Sequence, residues 1–258
     1  VPPRYRTIPG RGQPRPCPKG LYYTIAYLNA LHTPSMKGLF AAAGHWGIPV
    51  FLAALGLVTV GTFLLKGRHR TIPALFVVST TGFVVMLLEL SLIFVFQVAY
   101  GYVFHEIGML ITMLMAGMAA GSMTAARRGA AAARASKTLM TAEASLAFFC
   151  LLLTVLFALA GHGTGGMTGR LLFFALLFVP GFFAGMEFPL AVELCEDREH
   201  TGGSVGSVYA ADLAGGFTGG MVGGFFLFPL MGLTMSCLVF GTLKAAGFFL
   251  LLLSGKRK

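Results

Sequence analysis

Four charged side chains sit inside stretches that are otherwise apolar: Glu89, Glu187, Asp212 and Lys244. A charge at membrane depth costs roughly 3 kcal/mol or more, so residues of this kind are candidates for an ion or ligand pathway. Counted from the ends of their stretches, Glu89 and Lys244 fall near mid-depth, and Asp212 and Glu187 nearer one end. Glu193 lies further towards the surface. A Glu89–Lys244 or an Asp212–Lys244 pair would offset the worst of the cost. Two readings stay open: an internal ion pair that orients helices, and a site for a cation, a proton or a polar ligand.

Histidines offer a second kind of chemistry. His45, His105 and His162 fall near one face of the membrane, and His69 and His200 near the other. Haem ligation needs two histidines facing each other at one depth, and metal binding needs convergent ligands. No histidine pair stands at i, i+4, so headgroup-level histidines are the simpler reading, and neither a metal nor a cofactor is expected. His105-Glu106, flanked by Tyr100, Tyr102 and Phe104, is the one place suited to quinone or haem contact. The four cysteines, Cys17, Cys150, Cys195 and Cys237, are scattered and form neither a disulfide framework nor a zinc site. There is no nucleophile elbow, H-E-x-x-H, Walker loop or dinucleotide fingerprint. The Gly161–Gly166 run has no strand before it and no Gly-Lys-Ser/Thr after it, so it reads as a surface loop.

The elements that must position these residues follow from composition. Of 258 residues, 56% are hydrophobic and 11% charged, against roughly 25% charged in a soluble domain. Mean hydropathy is +0.81. The expected fold is all-α, a polytopic transmembrane bundle of about seven spans. A net charge of +10 comes from Lys and Arg flanking the spans, which fits the positive-inside rule and contact with anionic lipid rather than nucleic acid.

Residues 1–20 form a basic, Pro-rich tail, and residues 21–45 an interfacial segment with Tyr22, Tyr23 and Tyr27 at headgroup level. The bundle occupies 46–258. Its spans are expected at Trp46–Leu65, Ala74–Tyr100, Ile107–Ala126, Leu139–Ala160, Leu171–Leu194, a glycine helix from Ser204 to Gly232, and Met235–Leu253. An alanine-rich loop is expected before the fourth span, and Pro180 and Pro189 imply that the fifth is kinked or broken. Glycines at small-xxx-small spacing mark packing faces: Gly117 and Gly121, Gly181 and Gly185, then Gly215/Gly216, Gly219/Gly220 and Gly223/Gly224. The loop charges put the C-terminus in the cytoplasm, although the basic N-terminal tail opposes that assignment. The chain begins with Val and shows no signal-peptide pattern, so it is expected to be processed, truncated or part of something longer.

Three runs carry a resemblance: ELSLIFVFQVAYGYVFHEIGMLITMLMAGMAAGS (Glu89–Ser122), GMEFPLA (Gly185–Ala191), and YAADLAGGFTGG with FPLMGL (Tyr209–Leu233). They resemble the membrane domain of bacterial spermidine-synthase-like proteins, in which a polyamine aminopropyltransferase-like domain is fused to transmembrane helices. PKGLYYTIAYLNALHTPSMKGLF (Pro18–Phe40) resembles the junction after that synthase domain. The resemblance implies a bacterial inner-membrane, multi-pass subunit or anchor. Such a chain would be non-catalytic by itself and would assemble with partner subunits or a separate soluble domain. The synthase's nucleotide loop and catalytic aspartates have no counterpart in this chain. Two alternatives remain from the residues: a transporter or channel for a cation or polyamine using the buried carboxylates, and a quinone- or haem-contacting subunit of a redox complex.

Overall fold

A computed structural model of the chain describes Gly56, Gly61 and residues 71–101, 104–128, 132–159, 167–196 and 204–255. The basic tail, the interfacial segment, the Gly161–Gly166 loop, Tyr102 and most of the span expected at Trp46–Leu65 lie outside the described residues.

Among the described residues there is no strand. The helices are α1 Ile72–Tyr100, α2 Phe104–Arg128, α3 Ala132–Leu159, α4 Met167–Glu196, α5 Ser204–Val222 and α6 Phe228–Gly255, with a π-helical stretch, Gly223–Leu227, between the last two. Five of them are long and apolar enough to cross a membrane: α1, α2, α3, α4 and α6. The glycine helix α5 is not one of these five. Its glycines, Ser207, Asp212 and Thr218 dilute the apolar character that a span needs. Large apolar side chains face outwards, with Phe104 86%, Phe148 68% and Phe217 68% exposed. A soluble surface rarely carries so much apolar area; a lipid-facing one must.

Neighbour contacts fix the directions. Phe96 of α1 meets Phe173 of α4 with ring centres 5.5 Å apart, while Thr81 meets Glu187, so α1 and α4 run antiparallel. In α2 and α4, Leu114 lies against Gly181 and Met118 against Gly185, a parallel pairing. Gly215 lies beside Ser79, Gly219 beside Phe83 and Gly223 beside Leu87, so α5 runs parallel to α1. Phe228 packs near Phe94 and Lys244 is back beside Thr81, so α6 returns the other way.

Two interfaces bring backbone against backbone. A Cβ added to Gly117 or Gly121 would overlap the carbonyl oxygen of Phe178 or Phe182, and one on Gly181 or Gly185 that of Leu114 or Met118. Only glycine permits this approach of α2 to α4. Between α1 and α5, a Cβ on Gly215 would strike the Ser79 carbonyl, and one on Gly219 would come within 2.6 Å of that of Phe83. The second glycine of each pair is not used in this way. Gly216 and Gly220 would have a Cβ no nearer than 3.9 and 3.4 Å to another atom, and Gly224 meets nothing within 4 Å. A helix turns about 100° per residue, which carries the adjacent glycine off the contact line.

Three boundaries differ from expectation. Helix α3 starts at Ala132 rather than Leu139, because the alanine-rich segment read as a loop is a strong helix former. Of the kink or break expected at Pro180 and Pro189, the break does not occur: α4 is continuous through both, since packing by neighbouring helices sustains prolines in apolar helices. Helical geometry also continues through Gly232, where a break before Met235 was expected.

Candidate functional site

Helices α1, α3, α4 and α6 converge on one buried polar cluster. Thr81, Glu143, Glu187 and Lys244 are 3%, 0%, 1% and 0% exposed. Counting residues from the shared end of the bundle, all four lie about 14–17 Å along their helices at 1.5 Å per residue. That is close to half of a hydrocarbon core of about 30 Å.

The lysine ammonium has three N–H donors and meets three acceptors. It contacts Glu143 Oε1 in a short ion pair, donates to Thr81 Oγ1 at 2.5 Å, and stands 3.5 Å from Glu187 Oε2. The Thr81 hydroxyl is also close to Glu187 Oε2 and 2.8 Å from the Val77 carbonyl. Its single proton can serve one of these acceptors at a time. The Glu143 and Glu187 carboxyls also interact with one another. Two oxygens of the cluster, Glu143 Oε2 and Glu187 Oε1, are buried with no hydrogen-bond partner among the described residues, as is Glu106 Oε2 at the other end of the bundle. With both carboxyls ionised, two negative charges share one ammonium. The cluster then carries one uncompensated charge in the buried interior.

The expected pairings of Lys244 are corrected. Glu89 lies about 12 Å further along α1 than Thr81 at 1.5 Å per residue, so it cannot reach the ammonium. It is half-buried. Asp212 is at the right level, but its carboxyl is packed against Gly82, where a Cβ would lie 2.7 Å from Oδ1. It sits on the α5 flank of α1 and makes no ion pair with Lys244. Glu187 was expected nearer the end of its helix, yet it stands level with Lys244. Glu143 was not anticipated at all. In a span starting at Leu139 it would stand only one turn from the end; in a helix starting at Ala132 it is at mid-depth. The signal available was its register with Leu139, Leu146 and Cys150, all buried on the same side of α3.

At the opposite end of the bundle His105 is exposed. Glu106 accepts from Arg170 at 2.6 Å. The Arg170 guanidinium lies 5.3 Å from the centre of the Tyr100 ring, which in turn packs on Phe96 and Phe173. This arrangement ties α1, α2 and α4 together. The Arg170 side chain is 40% exposed, so Arg170→Ala should cost under about 1 kcal/mol in a thermal melt. Among the described residues no group of three His, Cys, Asp or Glu is placed to hold a metal. Cys150, Cys195 and Cys237 are buried.

No protein-family model matches the chain, and no solved structure does. Over 224 residues, 83% of its length, the chain is 32% identical to polyamine aminopropyltransferase 2 of Streptomyces coelicolor (strain ATCC BAA-471 / A3(2) / M145). It spans 38% of that protein's length. The resemblance read from Glu89–Ser122, Gly185–Ala191 and Tyr209–Leu233 therefore holds: over most of its length this chain is a homologue of part of a polyamine aminopropyltransferase.

Proposed function

We propose that the chain is a membrane-embedded domain, without catalytic machinery of its own, that holds an aminopropyltransferase-type catalytic unit at a bacterial inner membrane. That unit would belong either to the same polypeptide or to a partner subunit. The observation that carries this reading is the match to little over a third of a polyamine aminopropyltransferase by a segment made of apolar helices. Arg127, Lys137 and Glu193 lie towards one end of the bundle and Arg170 towards the other; the excess of basic residues makes the first end the cytoplasmic one. Affinity capture of the chain from native membranes in mild detergent tests the proposal. An aminopropyltransferase-type polypeptide at equal stoichiometry is expected. A lone, monodisperse chain with no aminopropyl-transfer activity in the captured fraction contradicts it.

A second reading, passage of a cation or polyamine, is favoured by the charge cluster at mid-depth. Polyamine uptake unchanged by Glu187→Gln and Asp212→Asn would remove it.

A further inference from the structure

We propose that the Glu143–Glu187–Thr81 corner of the bundle binds one exchangeable hard monovalent cation, a proton or Na+, beside the fixed ammonium of Lys244. This goes beyond both functional readings, because it concerns what occupies the core of the bundle rather than what the bundle holds or moves.

Charge and donor count point the same way. One ammonium faces two carboxyls that are 0% and 1% exposed, which leaves a single negative charge to be balanced. A monovalent cation brings the cluster to neutrality, and a divalent one would overshoot by a full charge. The two orphaned atoms, Glu143 Oε2 and Glu187 Oε1, are both carboxylate oxygens, so the missing partner is a proton donor or a hard cation and not an anion. The lysine cannot supply it, since its three donors are already directed at Glu143 Oε1, Thr81 Oγ1 and Glu187 Oε2.

A glycine packs directly against one orphan. A Cβ on Gly247 of α6 would stand 2.7 Å from Glu143 Oε2, inside any normal contact. Asp212 gives a half-buried carboxyl against Gly82, next to Thr81 in the chain. It marks the flank from which an ion could arrive. The titratable and charged groups around the site are Lys244 and Cys237 on α6, Cys150 on α3, Asp212 on α5 and, further along α1, Glu89.

The test is the apparent Tm of the full chain in detergent. Na+ is exchanged for N-methylglucamine at constant ionic strength, and pH is varied separately. A ligand bound to the folded state raises Tm by roughly 3–5 °C per tenfold rise in its activity above Kd. We expect that slope in the wild type and its loss in Glu187→Gln. Dependence on Na+ at fixed pH identifies sodium, and dependence on pH alone identifies the proton. Gly247→Ala keeps every charge but crowds Glu143 Oε2, so it should weaken the slope even if Glu187→Gln does not fold. A wild-type Tm indifferent to both Na+ and pH overturns the proposal. So does a slope that survives unchanged in Gly247→Ala and in any Glu187→Gln protein that folds.

Discussion

Lys244→Met should be the most damaging single substitution in the bundle, lowering stability by about 3–5 kcal/mol or preventing folded chain from accumulating. Methionine is close to lysine in length, so the loss is electrical rather than steric. Glu143 and Glu187, both fully buried, would face each other with no ammonium between them. The effect should be strongly non-additive. Adding Glu143→Gln and Glu187→Gln to Lys244→Met removes both stranded charges and is expected to recover most of the lost stability, because an uncharged buried trio avoids the desolvation cost. The comparison is read as the folded yield by detergent size-exclusion chromatography, and the melting temperature, of three proteins: the wild type, the single variant and the triple variant. Equal damage in the single and triple variants would mean that these side chains matter for shape and not for charge.

Gly185→Leu should separate α2 from α4. The added side chain begins with a Cβ that would overlap the Met118 carbonyl, and its neighbours there are backbone atoms that cannot rotate away. Overpacking costs typically about 1–3 kcal/mol, and more where the backbone itself is the obstacle. Gly121→Val, on the facing helix, should do the same against Phe182. Gly216→Ala is the matched control. Its Cβ would have no atom nearer than 3.9 Å, and alanine is a better helix former than glycine by about 1 kcal/mol. Melting temperatures of the three proteins should therefore fall, fall, and stay level or rise. A uniform fall would show that glycine is needed along the whole of α5 and not only where it meets α1.

The positions of α1, α2, α4 and α6 could be read from sequence because long apolar runs have few other stable forms in lipid. The interior could not be read as well. Glu89 stands out in an apolar run as clearly as Glu187 does, yet depth along α1 separates it from Lys244, and depth depends on where each helix starts. The Ala132–Ala135 segment shows how that error spreads. Read as loop, it hid Glu143; folded as helix, it carries Glu143 to the middle of the bundle. In α5 the doubled glycines present two candidate faces, and sequence spacing is identical on both. Only the packing of α1 selects Gly215, Gly219 and Gly223. Thr81 gave no signal, since a threonine in a helix usually bonds its own backbone, as Thr80 and Thr81 both do to the Val77 carbonyl.

The meeting of Lys244 with Glu143 depends on the register of α6 against α3, and a disulfide tests that register most directly. A Cβ on Gly241 would lie 3.5 Å from the Cβ of Cys150, within the range that a disulfide spans. With Cys17, Cys195 and Cys237 replaced by serine, Gly241→Cys should cross-link to Cys150 on mild oxidation in membranes, as identified by peptide mapping. Two thiols that stay free under the same oxidation, in a chain that is otherwise folded, would contradict the pairing of α3 with α6 and with it the cluster.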